Sequence, residues 1–99
     1  MRLSDALIRS IRLLALQEAG ERARVRVFGS RLDDAARGGD LDLMLEVPEP
    51  VENPALLSAR LAARVSRAMN GRKGDVLVCA PNLKRLPIHE IAFNEGKLI

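Results

Sequence analysis

Two aspartates separated by one leucine, Asp40 and Asp42, are the residues whose types and spacing most directly suggest chemistry. They lie in a run where apolar residues recur at every second position, a pattern that predicts a strand. Side chains two residues apart in a strand project from the same face, so the two carboxylates would lie side by side and repel. A magnesium ion, which proteins hold with a few carboxylates plus substrate phosphates, would relieve that repulsion. For an isolated Asp-x-Asp pair, the solvated face of an amphipathic strand is the better interpretation.

Three further features favour a site. Gly29 and Ser30 follow a short apolar run, where a glycine and the amides of a following helix could bind phosphate. Asp75 leads a later apolar run and would add a third carboxylate if its strand lies beside that of Asp42. Arg31 is a candidate phosphate contact. Taken singly, each has an ordinary structural reading: a strand-to-helix turn, a strand-edge charge and a solvated arginine.

The elements that must position these residues alternate between helices and strands. Helix starts are indicated by capping residues and prolines, and helix ends by glycines. Strands are indicated by apolar residues at every second position. The predicted helices are 5–19, 54–70 and 87–95, with a short helix or turn at 30–36; the predicted strands are 24–29, 40–47, 75–80 and 97–99. In the last helix, Ile88, Ile91 and Ala92 share one side.

Length and composition limit the function classes. The 99 residues predict a single domain. The lone cysteine, Cys79, cannot form an internal disulfide, and no signal or membrane segment is evident, so we expect a cytoplasmic protein with no membrane partner. The net charge is +3, but the basic residues are spread along the chain and form no continuous block. Aromatic residues that could stack on bases are nearly absent, with two Phe and no Trp or Tyr. These features argue against direct nucleic-acid binding.

The combined motif, Phe28-Gly29-Ser30, nine residues, then Asp40-Leu-Asp42-Leu, with Asp75 in "GDVLV", resembles the DNA polymerase beta-like nucleotidyltransferase superfamily. Within it, the match is to the minimal nucleotidyltransferases (MNT) of HEPN-MNT toxin-antitoxin pairs, and it runs from the first helix to the last residue. Gly39 stands where many relatives have serine, and the spacer is slightly short. The resemblance implies an α+β fold with a mixed three- to four-stranded sheet and helices mainly on one face.

The resemblance also implies a mechanism. Asp40 and Asp42 would bind two magnesium ions, and Asp75 would complete the site of the ion that activates the attacking hydroxyl. Gly29, Ser30 and Arg31 would bind the phosphates of ATP. AMP would be transferred to a hydroxyl, with a tyrosine of a HEPN ribonuclease toxin as the expected acceptor.

Two alternatives stay open: a binding antitoxin that occludes the HEPN toxin without essential catalysis, and a nucleotidyltransferase for a small molecule. The chain has no room for a second substrate-binding domain, which weakens the small-molecule alternative. The sequence does not identify the acceptor residue, the base preference, the number of AMP units or the oligomeric state.

A protein-docking surface is predicted beside the aspartates, because Met44, Leu77 and Cys79 fall on their side of the strands and a short chain has few helices to cover them. Other residues are given structural roles. His89 is expected to be structural or exposed, and Cys79 to be a small strand side chain. Three arginines on the second long helix are expected to form its solvated face: Arg60, Arg64 and Arg67.

Overall fold

A computed structural model of the protein describes residues 3–29 and 41–99. Within these ranges lie the helices α1 (Asp5–Ala19), α2 (Pro54–Ala68) and α3 (Pro87–Glu95), and the strands β1 (Arg24–Phe28), β2 (Leu41–Glu46), β3 (Gly74–Cys79) and β4 (Lys97–Leu98). The predicted α+β class with a mixed sheet of three to four strands is therefore confirmed, and the sheet has four strands. The predicted helix or turn at 30–36 lies outside the described residues. No helix of the described chain is both long and apolar enough to cross a membrane.

The long helices begin where the capping residues indicate. The Ser4 hydroxyl accepts a hydrogen bond from the Leu7 amide at 3.1 Å, and the Asn53 side chain accepts one from the Leu56 amide at 3.1 Å. Each cap satisfies an amide that has no partner inside the helix. Pro54 follows its cap as the first residue of α2, where the missing N–H costs nothing.

The sheet has the order β3-β2-β1-β4. Strands β2 and β3 are parallel, whereas β1 is antiparallel to both β2 and β4. Helix α2 provides the connection that a parallel pair requires. It is fixed to the sheet by the Ser58 hydroxyl, which donates to the Val76 carbonyl at 2.6 Å.

One face of the sheet carries the main core, between the strands and the helices α1 and α2. Its fully buried side chains alternate along the strands and recur at helical spacing on the helices, including Ile11, Val27, Leu41, Leu43, Leu45, Leu61 and Val65. Arg64 was predicted to belong to the solvated face of α2, and for this residue the prediction is wrong. Arg64 is half-buried and joins α2 to α1 through Glu18 at 3.2 Å and Gln17 at 2.6 Å, whereas Arg60 and Arg67 are exposed.

The other face is covered by α3, and this corrects the expected docking surface. Met44 is fully buried in a small cluster with Phe28 and Ala92, and Leu77 and Cys79 pack against that cluster. The expectation that Met44 is exposed beside the aspartates is therefore wrong. A nine-residue helix is long enough to cover the middle of so small a sheet.

Helix α3 packs on the sheet with a different side from the one its isoleucines indicate. Ile88 and Ile91 are 40% and 44% exposed, whereas His89 is only 4% exposed and Ala92 is buried. The His89 ring accepts a hydrogen bond from the Leu86 amide on Nδ1 at 2.9 Å, and its Nε2 lies 3.0 Å from the Val78 carbonyl. Because Nδ1 accepts, Nε2 carries the proton and donates. Both ring nitrogens are satisfied, so His89 is structural.

Candidate functional site

Two of the predicted site carboxylates are neighbours across the parallel strands. Asp42 of β2 and Asp75 of β3 are register partners. Partners in a parallel pair point to the same face of the sheet, so the two carboxylates share a face near the amino ends of their strands. Asp42 is half-buried, and the side chain of Asp75 is 55% exposed. We refer to Asp42 and Asp75 as the acidic pair.

Gly29 is the backbone against which Asp42 lies. Phe28 is the register partner of Asp42 in β1, and Gly29 follows it with a φ of +79°. A Cβ placed on Gly29 would collide with Oδ2 of Asp42 and lie 3.3 Å from its Cγ. The position therefore needs glycine for two reasons: the left-handed backbone and the space that the carboxylate occupies. Sequence reasoning assigned this glycine to phosphate approach, whereas the geometry connects it first to Asp42.

A cation stands beside the acidic pair. Nζ of Lys73 lies 4.0 Å from Oδ1 of Asp75, and the Lys73 carbonyl accepts a hydrogen bond from the Leu41 amide at 3.1 Å. The lysine therefore sits where β2 and β3 begin. Sequence reasoning missed Lys73. The available signal was its position two residues before Asp75, which places both side chains on one face if the strand is extended backwards.

The remaining predicted site residues, Asp40, Ser30 and Arg31, lie outside the described residues. Their roles stay predictions. Asp40 directly precedes the first residue of β2 and comes two residues before Asp42 in the sequence. Residues 3–29 and 41–99 alone contain no group of three or more His, Cys, Asp or Glu side chains that could hold a metal ion. A three-carboxylate site would therefore need a carboxylate from residues 30–40, where Asp40 is the predicted ligand.

The chemistry of the acidic pair fits magnesium. Two adjacent carboxylates on one face supply hard oxygen ligands, and magnesium characteristically keeps several waters or substrate oxygens besides one or two carboxylates. The exposure of Asp75 leaves such positions open to solvent. Lys73 supplies a positive charge that reduces the mutual repulsion of the carboxylates.

Comparison of the chain with protein-family models, with curated proteins and with solved structures finds no match. A function is therefore inferred from the acidic pair, its surroundings and the motif that contains it.

Proposed function

We propose that the protein is a magnesium-dependent nucleotidyltransferase antitoxin that transfers AMP from ATP to a hydroxyl of a HEPN ribonuclease toxin. The observation that carries this proposal is the register of Asp42 with Asp75, next to the left-handed Gly29. The order strand, Gly-Ser, Asp-x-Asp strand, helix and Asp strand is the order of the motif that the chain resembles.

Within this proposal, Asp42 and Asp75 bind the metal, together with Asp40. Bound magnesium would supply positive charge that stabilises the entering and leaving oxygens of an in-line displacement at phosphorus. Because Gly29 has no side chain, the Asp42 carboxylate can lie against the backbone at this position. Ser30 and Arg31 are proposed to contact the triphosphate.

Lys73 has a part in this proposal as the counter-charge of Asp75. A metal ion that binds the acidic pair would compete with Lys73, because Nζ of Lys73 lies 4.0 Å from Oδ1 of Asp75. We expect Lys73 to move from the Asp75 carboxylate towards the nucleotide phosphates once metal and nucleotide are bound, since the triphosphate carries more negative charge than one carboxylate.

The alternative is an antitoxin that binds the HEPN toxin and occludes it. A group of exposed apolar side chains at the start and on the outer surface of α3 favours this alternative. Its members are each at least 40% exposed: Leu86, Ile88 and Ile91. A surface of this kind fits a protein partner better than water.

Mass spectrometry tests the two functions against each other. A purified HEPN partner is incubated with this protein, ATP and magnesium, and Asp42→Asn is run beside the wild type. The transferase account predicts that the partner gains the mass of one or more AMP units only with the wild type. A partner that gains no mass and is still inhibited would establish the occluding antitoxin instead.

A further inference from the structure

A cavity of about 640 Å³ lies at the end of the sheet opposite to the acidic pair. Its floor includes Val47 and Ala80, which directly follow the carboxyl ends of β2 and β3. Asp42 lies five residues before Val47, about 17 Å away at the rise of a strand. The volume is in the range of cavities that hold small molecules.

Basic side chains line this cavity from two sides. Arg22 and Arg24 come from the turn before β1 and its first residue, and Lys84 and Arg85 come from the segment before α3. We call these four residues the basic rim. Within the described chain, Arg24 and Lys84 form no ion pair, whereas Arg22 is paired with Glu49 at 3.4 Å.

The carboxylates near the cavity only partly offset this charge. Glu46 faces Arg26, with Oε2 and Nε 3.9 Å apart, and Glu90 is 3.3 Å from Nε of Arg85. Glu21 also lines the cavity. Glu46, Glu49 and Glu90 are each paired with one arginine. Among the described residues, the unpaired charges that line the cavity are then two positive ones, Arg24 and Lys84, and one negative one, Glu21. The cavity therefore favours an anion over a cation.

Arg85 has partners on one side of its guanidinium. The group lies over the ring of Phe93, 4.2 Å from the centroid, and Nε forms an ion pair with Oε1 of Glu90 at 3.3 Å. The two Nη groups make no hydrogen bond within the described residues. A guanidinium that is stacked on a ring and paired at one edge leaves the other edge for a bidentate contact with phosphate or carboxylate.

The segment that carries Lys84 and Arg85 is anchored at several points. The Asn82 side chain exchanges hydrogen bonds with the Val51 amide at 2.9 Å and the Val51 carbonyl at 2.8 Å. The Leu83 amide bonds to the Ala80 carbonyl, and the Leu86 amide to His89. The walls of the cavity are therefore formed before a ligand arrives, which reduces the entropic cost of binding.

We propose that this cavity binds a small organic phosphate through the basic rim, at a site separate from the acidic pair and without a metal ion. Basic groups on two walls suit an anion with more than one charged group, of which a diphosphate is the simplest. The apolar parts of the lining, including Pro48, Pro81 and Leu83, suit an organic group attached to it. The proposal does not depend on nucleotidyl transfer.

Calorimetry with inorganic pyrophosphate, and then with ADP, tests this site in a metal-depleted buffer without phosphate. Three proteins are compared: the wild type, Arg24→Gln/Lys84→Gln, and Arg9→Gln/Arg12→Gln as a control that removes the same charge from exposed positions on α1. We expect saturable binding by the wild type and the control, and a loss of roughly ten-fold or more in the first variant. We also expect ADP to bind more tightly than pyrophosphate, because of the apolar lining.

Three outcomes would overturn the proposal. The first is that the wild type shows no saturable binding without magnesium. The second is that both double variants lose the same affinity, and the third is that Arg24→Gln/Lys84→Gln binds as tightly as the wild type. A wild type that binds only with magnesium, and loses this binding in Asp42→Asn, would assign the anion to the acidic pair instead.

Discussion

The same two strands, β2 and β3, form two differently built regions at their opposite ends. At the amino ends, Asp42 and Asp75 lie side by side, and the second carboxylate is more than half exposed. At the carboxyl ends, the strands lead into a cavity with walls anchored by hydrogen bonds and a basic rim. The two carboxylates at the amino ends favour the binding of a cation, whereas the basic rim at the carboxyl ends favours the binding of an anion.

This difference follows from what each end must tolerate. Adjacent carboxylates are stable near water, where the dielectric constant weakens their repulsion and a metal ion can reach them. The His89 ring bonds to the Val78 carbonyl near the carboxyl end of β3, and it makes that end rigid. A ligand at the acidic end is therefore expected to come with a metal, and one at the basic end to enter a preformed cleft.

The largest effect is expected from Asp42→Asn, which keeps the shape of the side chain and removes its charge. We expect it to reduce AMP transfer by roughly 1,000-fold, because the metal loses a ligand at the reacting phosphate. Incorporation of labelled AMP into the partner measures this. Asp5→Asn, in the exposed first turn of α1, is the control and should retain activity. Full activity in Asp42→Asn would remove the acidic pair from catalysis.

His89→Ala tests the rigidity of the basic end. The change leaves the Val78 carbonyl and the Leu86 amide without their partners, and we expect a loss of about 2–3 kcal/mol in the free energy of unfolding. Urea denaturation measures the loss, and Ile91→Ala, at a position 44% exposed, is the control with a smaller effect. Magnesium affinity should be unchanged in a folded His89→Ala protein. A large change would show that the two ends are coupled.

Gly29→Ala separates backbone strain from contact with Asp42. The left-handed backbone predicts a loss of about 1–2 kcal/mol for alanine. Gly71→Ala is a matched control, because Gly71 has a φ of +88° but open space around its missing Cβ. We expect both variants to lose stability, and only Gly29→Ala to lose magnesium affinity, since its methyl group displaces the Asp42 carboxylate. Equal magnesium affinity in the two variants would contradict the role given to Gly29.

The smallest effect is expected from Lys73→Gln. Its ion pair with Asp75 is exposed, and exposed pairs contribute about 0.2–1 kcal/mol. Removing the competing cation should raise magnesium affinity by roughly two- to five-fold at low salt. Magnesium titrations at low and high salt measure this difference, which should shrink as salt increases. A fall in magnesium affinity would show that Lys73 supports the metal site instead of competing with it.

The regular parts of the fold were readable from local signals. Ser4 and Asn53 mark helix starts, and alternation marks β2, because caps and period-two patterns act over a few residues. The register that pairs Asp42 with Asp75 depends on how two strands meet, and the sequence supported it only as a hypothesis.

The packing of α3 was not readable, and the reason is physical. Ile88 and Ile91 looked like the inward side of the helix, yet they face outward. Helix α3 packs instead through His89 and Ala92. The His89 ring forms hydrogen bonds with two backbone groups, and the Arg26 guanidinium lies over the Phe93 ring, 5.1 Å from its centroid. Contacts of this kind join distant residues, so they leave no periodic trace. The same packing buries Met44.

The central claim is that Asp42 and Asp75 act together as a metal-dependent nucleotide site, and titration calorimetry tests it most directly. The titrations use a background protein with Arg24→Gln/Lys84→Gln, because the cavity is proposed to bind organic phosphates without a metal ion. ATP is titrated into this background protein, and into the same background with Asp42→Asn or Asp75→Asn, each with and without magnesium. We predict saturable binding by the background protein only with magnesium, and a loss of roughly ten-fold or more in each aspartate variant. Equal ATP affinity in all three proteins, or equal affinity with and without magnesium, would contradict the account.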